Sequence, residues 1–148
     1  MAVKPIPDGY NTVTPYLMVR DAAKFIQFMS RVFGARTVEQ IMRPDGRIGH
    51  TEIRIGGSMI MLSEASDEHP ATPVMLHVYV EDVDAAFERA VQAGGIVVSR
   101  PANQFYGDRS GGVKEPSGNT IWIATHVEDV APDELQRRAA KAMSAPGA

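Results

Sequence analysis

Cysteine is missing from the 148-residue chain, and its absence excludes three kinds of protein. A disulfide scaffold, a zinc site built on thiolates and a cysteine nucleophile all need side chains that this sequence does not supply. Long apolar runs are missing as well, since none approaches the roughly 18 residues that a membrane-spanning helix requires. We therefore expect no membrane partner and one compact domain, which at about 150 residues can bury a true core.

An excess of positive charge is also lacking, because 15 basic residues face 18 acidic ones for a net charge of −3. No basic stripe and no RNA-binding aromatic motif are present, so nucleic acid is not an expected partner. A glycine-rich phosphate loop is absent, and the glycine pairs at 56–57, 94–95 and 111–112 predict turns. The first ten residues lack the apolar stretch of a signal peptide, which favours a cytoplasmic location.

The strongest positive signal is an internal repeat. Residues 19–35 and residues 80–95 each run from a valine, through a charged residue and an aspartate, into a helical pattern that closes on glycine. Asp21 and Asp82 are 61 positions apart, so the repeat is about half a domain long. Each aspartate stands where an N-cap belongs, and each glycine stands where a left-handed residue ends a helix.

Short strands with period-two alternation surround each helix. We predict strands at residues 13–19, 35–43, 47–55 and 58–63 in the first half, and at 74–80, 96–100, 109–114 and 119–126 in the second. The pattern predicts an α+β fold of two βαβββ modules, at residues 8–64 and 73–127, joined by a linker at 65–72. Residues 128–148 predict a terminal helix or tail, with Glu128 and Asp129 in the helix cap.

The two modules resemble those of the vicinal oxygen chelate superfamily, which comprises glyoxalase, bleomycin-resistance and dioxygenase proteins. The resemblance depends on the paired helix starts, on residues 46–52 (GRIGHTE) and on residues 103–111 (NQFYGDRSG), and it is greatest to the PhnB-like proteins. It implies one domain overall, whose mixed sheets curl around a cavity, usually in a homodimer. It also implies either a metal-dependent lyase, isomerase or dioxygenase, or a protein that sequesters a drug.

The metal ligands of the superfamily, carried over position by position, fall on side chains that suit a metal poorly. The resemblance places them at Thr14, at Met61 or Leu62, at Met75 and at Trp122, with Glu64 as the nearest carboxylate if the register slips. Threonine is a poor ligand, a thioether does not suit hard or borderline ions, and an indole cannot bind a metal. Asn119 stands where related sequences carry histidine. We therefore expect neither the inherited metal site nor a cofactor.

Strand alternation predicts which side chains line the cavity instead. The aliphatic positions expected to face the helices are Val13, Leu17, Val74, Leu76, Val78, Ile121 and Ile123. The alternate positions then face inward and form an amphipathic lining, as is usual for a small-molecule pocket. These positions are Thr14, Tyr16, Met18, His50, Glu52, Arg54, Met59, Met61, Ser63, Met75, His77, Tyr79, Trp122, Ala124 and His126.

The polar residues of this lining can each be interpreted in more than one way. His77 is a general base, a displaced metal ligand, or only a hydrogen-bonding residue of the sheet. His50 and Glu52 share one face of a strand, where they either bind a metal or form an acid–base pair with His77. An exposed ion pair with Arg54 is the other interpretation. The candidate catalytic residues are accordingly His77 and Glu52.

Aromatic and loop residues carry further alternatives. Trp122 is either a stacking platform for a planar ligand or a plug in the core. Beside Phe105 and Tyr106, Arg109 either clamps a ligand carboxylate or phosphate, or forms a brace with Asp108. His126, at the end of a strand, is expected to be solvated rather than functional.

The sequence thus leaves open functions from different classes. The function we predict is a metal-free binding protein, in which two modules and two chains enclose a hydrophobic or aromatic small molecule. The alternative is a metal-dependent enzyme with a relocated site at His50, Glu52, His77 and Glu64, holding an ion such as Zn, Ni, Mn or Fe. A third hypothesis is a metal-free acid–base enzyme that uses His77 with Glu52 or Tyr79.

Overall fold

Eight strands and three helices form over residues 2–144, the part of the chain that this computed structural model describes. The first module comprises β1 (Tyr16–Val19), α1 (Ala22–Phe33), β2 (Arg36–Met42), β3 (Ile48–Ile55) and β4 (Ser58–Glu64). The second comprises β5 (Met75–Tyr79), α2 (Val83–Gln92), β6 (Ile96–Asn103), β7 (Asp108–Lys114) and β8 (Thr120–His126). Helix α3 (Pro132–Ser144) follows, and residues 145–148 of the predicted tail lie outside the described residues. The predicted α+β fold of two βαβββ modules is confirmed.

Two strands differ most from the prediction, and each has a proline near the boundary that differs. β1 begins at Tyr16 rather than at residue 13, and Val13 is 81% exposed instead of facing a helix. Pro15 has no amide hydrogen, so it only accepts a hydrogen bond, from Met61 at 2.9 Å, and the ladder starts after it. β6 extends to Asn103, and its Pro101 lies where the pairing with β7 is irregular.

Each module forms a four-stranded mixed sheet. The strand orders are β1-β4-β3-β2 and β5-β8-β7-β6, with β1 parallel to β4 and β5 parallel to β8. Helix α1 contacts β3 and β4, helix α2 contacts β6, β7 and β8, and the two helices contact each other. Each sheet therefore has a helix face, which packs on the helices, and an opposite face, which we call the open face.

The helix faces of both sheets contribute to a shared hydrophobic core. Period-two alternation sends Leu17 and Val19 of β1, and Ile121 and Ile123 of β8, to these faces, where they are fully buried or nearly so. The helices supply the largest buried side chains of the core, which are Phe25, Phe28, Met29 and Phe87. Complete burial of such side chains contributes about 1.5–3 kcal/mol each.

Equivalent hydrogen bonds hold the first turn of the helix in both modules. The predicted N-caps are confirmed, since Asp21 accepts from the Lys24 amide at 3.3 Å and Asp82 from the Ala85 amide at 3.1 Å. A side chain of the last strand of each module adds a second cap. In the first module Glu64 accepts from the amides of Asp21 and Ala22, at 3.0 and 2.7 Å.

In the second module the cap position belongs to Thr125, which lies 61 positions after Glu64. Its hydroxyl accepts from the Val83 amide at 3.0 Å and donates to the Val80 carbonyl at 2.9 Å. The repeat therefore reproduces the device that ties each helix to its sheet, although the side chains differ. Glu64 is committed to this cap on the helix face.

Helix α3 is held by an ion pair rather than by an acidic cap. The prediction that Glu128 and Asp129 cap this helix is wrong, because Glu128 instead accepts from Arg138 at 2.7 and 3.0 Å. Arg138 also donates to the Phe105 carbonyl at 3.2 Å, which ties α3 to the loop before β7. None of the helices within residues 2–144 is long and apolar enough to cross a membrane.

Replacing Glu64 with alanine removes the acceptor of two amides at the start of α1. We expect the free energy of unfolding to fall by about 1–2 kcal/mol, as for loss of an N-cap. Urea denaturation followed by circular dichroism measures the change. Glu68→Ala, in the exposed linker, is the matched control and should change stability by less than about 0.5 kcal/mol. Equal losses in the two variants would contradict the assignment of this cap.

Candidate functional site

The open face of each sheet carries one row of register partners at its centre. In the first sheet Tyr16 of β1, Met61 of β4 and Glu52 of β3 are neighbours across the strands. In the second sheet the corresponding row runs from His77 of β5 through Trp122 of β8 and Gly112 of β7 to Ser99 of β6. His77 lies 61 positions after Tyr16, and Trp122 lies 61 positions after Met61. The two rows are therefore equivalent in the repeat but differ in chemistry.

A chain of four hydrogen-bonded side chains crosses the open face of the first sheet. The Tyr16 hydroxyl lies 2.9 Å from His50 Nδ1, and His50 Nε2 lies 3.4 Å from Glu52 Oε1. The hydroxyl of Tyr10, in the segment before β1, donates to Glu52 Oε2. Glu52 is only 7% exposed although it lies on the open face. The segment that carries Tyr10 thus passes over this carboxylate.

The surroundings of Glu52 are strongly polar. Hydrogen bonding to Glu52 raises the pKa of Tyr10 to about 12, so Tyr10 stays a hydrogen-bond donor near neutral pH. Glu39 lies directly opposite Glu52 on β2, which brings two carboxylates together. Arg54, next along the same face of β3, donates to the Gly9 carbonyl at 3.3 Å and fastens the N-terminal segment.

The open face of the second sheet carries an indole lying against a glycine. Three ring atoms of Trp122 lie 2.7 to 3.1 Å from the point where a β carbon of Gly112 would stand. Only glycine leaves room for the ring at this distance. A groove of about 370 Å³ adjoins the ring and is lined by Trp122 with His77, Ser99, Gln104, Tyr106 and Ser110.

A second polar network borders this groove. Asp108, which is 4% exposed, accepts from the Tyr79 hydroxyl at 2.8 Å and lies 2.8 Å from His126 Nδ1. Burial opposes ionisation of Asp108, but the hydrogen bonds from His126 and Tyr79 outweigh it and hold its pKa below the usual value. The same hydrogen bond to Asp108 raises the pKa of Tyr79.

His126 bridges two carboxylates, although half of its side chain is exposed to solvent, as the sequence led us to expect. Its Nε2 lies 2.7 Å from Asp129 Oδ1, and its Nδ1 faces Asp108. Hydrogen bonds to Asp129 and then to Asp108 raise the pKa of His126, because both ring nitrogens donate only in the imidazolium form. The bridge ties the segment after β8 to the start of β7.

A larger groove, of about 550 Å³, lies between β5 and the first module. Its lining includes apolar side chains of both modules together with two polar aromatic residues of β5. Among these residues are Pro15, Phe33, Ile60, Leu76, His77 and Tyr79. His77 borders both grooves, and its ring meets the ring of Tyr79 edge-on at 4.9 Å.

Most of the residues that we predicted to line a cavity lie on the open faces. Thr14 lies before β1, Tyr106 reaches the groove of the second sheet, and Phe105 packs edge-on against Tyr106 at 5.3 Å. The first open face carries Tyr16, Met18, His50, Glu52, Arg54, Met59, Met61 and Ser63, and the second carries Met75, His77, Tyr79, Trp122, Ala124 and His126.

Two other candidates lie on helix faces. Arg109 donates to both carboxylate oxygens of Asp84 in the first turn of α2, at 2.9 and 3.0 Å. It therefore forms a brace, but to Asp84 rather than to Asp108, which points to the opposite face. Glu64 likewise caps α1 and takes no part in the open face.

The two candidate catalytic residues, His77 and Glu52, lie on the open faces of different sheets. No hydrogen bond joins them within the part of the chain that the structure describes. His77 instead lies beside Trp122 and Tyr79, whereas Glu52 contacts His50 and Tyr10. Within one chain, His77 and Glu52 therefore belong to two separate groups of side chains, one on each sheet.

The residues present do not fit the metal that the resemblance implies. The central rows offer a phenol (Tyr16), a thioether (Met61) and a carboxylate (Glu52) on the first sheet, and an imidazole (His77) and an indole (Trp122) on the second. Only Glu52 and His77 suit a divalent ion that prefers nitrogen and carboxylate ligands, and they lie on different sheets. Across residues 2–144, no three histidine, aspartate or glutamate side chains converge on a point that would hold a metal. The relocated set is also divided, because Glu64 and His77 lie away from His50 and Glu52.

Two important residues escaped the sequence analysis. Tyr10 lies in an aperiodic segment and meets Glu52 across 42 positions, so no local pattern indicates the contact. The sequence predicts a turn at Gly111 and Gly112, which is wrong because both lie inside β7. A glycine inside a strand often marks a place where another group approaches the backbone closely. Gly112 in the predicted strand 109–114 was therefore a signal for such a contact, although it does not identify Trp122 as the partner.

The structure consists of two βαβββ modules, each with an aromatic and polar open face. The family model for the glyoxalase/bleomycin resistance protein/dioxygenase superfamily matches residues 9–123. The chain belongs to this superfamily. The resemblance inferred from the repeat and its motifs is thereby confirmed.

Relatives and solved structures agree with this membership. Uncharacterized proteins of Mycobacterium bovis and Mycobacterium tuberculosis are each 36% identical over 138 aligned positions, which cover 84% of this chain and 89% and 79% of those proteins. TioX from Micromonospora sp. ML1 has a TM-score of 0.62 and 23% identity, covering 82% of this chain and all of TioX. The PhnB protein of Bacillus cereus has a TM-score of 0.61 and 15% identity, covering 78% and 99%. These structures show the same fold.

The bridge made by His126 predicts a pH-dependent contribution to stability. Because its pKa is raised in the folded state, the contribution is full below the unfolded value near 6.5 and is lost as pH rises through the folded value. We expect His126→Gln to lower the free energy of unfolding more at about pH 6 than at about pH 9. Denaturant titrations at both pH values measure the difference. His69→Gln, in the linker, is the control, and an equal effect of His126→Gln at both pH values would contradict the bridge.

Proposed function

We propose that this protein binds a planar, largely apolar small molecule, whose ring stacks on Trp122, without the metal of its superfamily. The packing of Trp122 on Gly112 is the observation that carries the proposal. The indole packs closely on Gly112 of β7, and the same side chain lines the groove. A ring held in this way offers an ordered stacking surface that loses little conformational entropy on binding.

The lining of the groove supports an amphipathic ligand. Ser99, Ser110 and Gln104 supply hydroxyl and amide groups around the indole, and His77 supplies an imidazole. A few polar groups around an apolar platform orient a ligand, while the aromatic contact supplies affinity. Stacking between aromatic rings adds about 0.5–1.5 kcal/mol beyond the burial of area.

Binding without a metal follows from the side chains of the central rows. Glu52 and His77 lie on different sheets, and the phenol, thioether and indole of the central rows suit burial and stacking better than coordination of a divalent ion. Bleomycin-resistance proteins give the superfamily part of its name, so sequestration of a small molecule is one of the functions that membership implies. The proposed ligand is therefore held by its shape and its aromatic surface.

We further propose that two copies of the chain form a homodimer that completes the cavity. Large apolar and aromatic side chains stand exposed on the open face of the second sheet, with Tyr79 at 62% and Met75 at 67% exposure. β1 and β5 are edge strands of their sheets, so their outer edges are available for contact. Exposed apolar surface of this kind marks a site of protein or ligand contact. A second copy over an open face converts its shallow groove into an enclosed cavity.

Because Trp122 is the only tryptophan of the chain, its fluorescence reports directly on the proposed site. Titration with planar aromatic probes, for example 1-anilinonaphthalene-8-sulfonate, should give saturable quenching at one site per chain. Gly112→Ala places a β carbon in the space of the indole, so the ring must move. We expect this variant to bind the probe at least about tenfold more weakly, which corresponds to about 1.4 kcal/mol.

Gly57→Ala is the matched control for this experiment. A β carbon added at Gly57 meets nothing within 4 Å, so the variant should bind as the wild type does. Linear, non-saturable quenching in the wild type, or equal affinity in the Gly112→Ala variant, would refute the platform. Purified protein that binds probe only after addition of Zn, Ni, Mn or Fe would refute the metal-free part of the proposal.

The dimer has its own test. Met75→Glu introduces a charge at an exposed apolar position of the β5 edge, and we expect it to weaken self-association at least about tenfold, since a buried unpaired charge is costly. Sedimentation velocity over a range of concentrations measures the association. Met143→Glu, at a methionine of α3 that is 75% exposed, is the matched control and should leave the wild-type dimer intact. A monomeric wild type would refute the dimer but leave the platform standing.

A further inference from the structure

Tyr16, His50 and Glu52 have the order of a catalytic triad. The hydroxyl of Tyr16 is 2.9 Å from one nitrogen of His50, and the other nitrogen is 3.4 Å from the carboxylate of Glu52. The hydroxyl is the exposed end of the series and the carboxylate is its buried end. A nucleophile within reach of a base, with the base oriented by a third group, is the geometric signature of covalent catalysis.

When His50 is a neutral imidazole, the acceptor capacity of Glu52 sets the direction of each hydrogen bond in the triad. An ionised carboxylate only accepts, and Glu52 already accepts from Tyr10. The contact with His50 therefore requires a proton on Nε2 of the neutral imidazole. Nδ1 of that tautomer is an acceptor, so the Tyr16 hydroxyl must donate to it. His50 is thus oriented to remove the proton of Tyr16.

We infer that Tyr16 is an activated nucleophile that accepts an acyl group from a carboxylic ester. The phenolic oxygen forms a bond to the acyl carbon while its proton passes to His50 Nδ1. The bond from the acyl carbon to the alcohol oxygen then breaks, and the alcohol leaves with that proton. Water, activated by His50, hydrolyses the acyl-tyrosine and restores the phenol. Glu52 stabilises the imidazolium formed in each step.

Tyr10 and Glu52 act in this site as positioning residues. Tyr10 holds one oxygen of Glu52, and the other oxygen holds the imidazole, so the orientation of His50 depends on both contacts. The remaining tyrosines differ in the group that they meet. The hydroxyl of Tyr79 donates to the carboxylate of Asp108, and Tyr106 stands exposed in the loop before β7 with its ring against Phe105.

Acetylation by 4-nitrophenyl acetate tests the inference on the full chain. The initial release of 4-nitrophenol gives the rate, and peptide mapping by mass spectrometry of samples quenched with acid during this first turnover, before the acyl-tyrosine is hydrolysed, gives the acetylated residue. General-base assistance is worth about 10²–10⁴ in rate, so we expect Tyr16 to be acetylated at least about tenfold faster than Tyr106. Tyr106 is the internal control because it is also exposed. Comparison within one molecule needs no variant and does not depend on how any variant folds.

Variants then separate chemistry from structure. His50→Gln should slow acetylation of Tyr16 at least about tenfold and leave that of Tyr106 unchanged. Glu52→Gln keeps a hydrogen-bonding side chain but removes the charge, and it should slow Tyr16 alone, whereas Glu52→Asp, which keeps a carboxylate, should recover part of the rate. His69→Gln in the linker is the matched control. Circular dichroism and thermal unfolding verify that each variant is folded.

Acetylation of Tyr16 no faster than that of Tyr106, or an unchanged rate in folded His50→Gln protein, would overturn the inference. The triad lies wholly within the first sheet of one chain, so it does not depend on the proposed ligand or on the dimer. The two tests are also read from different signals, since ligand binding is followed through Trp122 and acylation through the mass of the peptide with Tyr16. If the ligand-binding test fails, the acylation test still decides the further inference, and the reverse also holds.

Discussion

Helix packing on only one face of each sheet is the constraint on which the rest of this structure depends. Strand side chains alternate between faces, so the burial of Leu17, Val19, Ile121 and Ile123 against the helices commits their neighbours to the open faces. A slip of one residue would exchange the two sets and expose the core. The caps from Glu64 and Thr125 reinforce this register, because each joins the end of a strand to the start of a helix. The side chains of the open faces therefore owe their placement to residues buried on the helix faces.

The internal repeat builds the same βαβββ module twice. The two modules differ in chemistry at one pair of neighbouring positions on their open faces. Across the strands, Glu52 stands beside Met61 in the first sheet, where Gly112 stands beside Trp122 in the second. In the first sheet the carboxylate of Glu52, beside the thioether of Met61, is hydrogen-bonded to His50 and Tyr10. In the second sheet the missing side chain makes space for an indole. The same fold thus presents a polar relay on one open face and a flat aromatic surface on the other.

Features set by local periodicity could be predicted from the sequence, and features set by contacts distant in the chain could not. The strands, both helix caps and most open-face residues follow from alternation and from capping chemistry. The position of Arg109 could also be predicted. Arg109 is four residues before Val113 on the same strand, so both side chains lie on one face. Because Val113 packs in the core, this is the helix face. The contact of Tyr10 with Glu52 was not readable, because it spans an aperiodic segment. The bridge made by His126 likewise depends on a bond to Asp108, which no spacing rule indicates.

Buried carboxylates explain why the open faces are ordered before anything binds to them. Glu52 and Asp108 are almost fully buried, and each meets a tyrosine hydroxyl and a histidine ring. A buried charge without such partners would cost several kcal/mol, on the order of the free energy that holds a domain folded. The carboxylate therefore stabilises only those rotamers in which its aromatic neighbours turn toward it. Aromatic side chains that would otherwise sample several rotamers are held in one arrangement, and a ligand that meets them need not supply the free energy of ordering them. The polarity of these faces is for this reason compatible with the binding of an apolar molecule, since it fixes the surface on which that molecule packs.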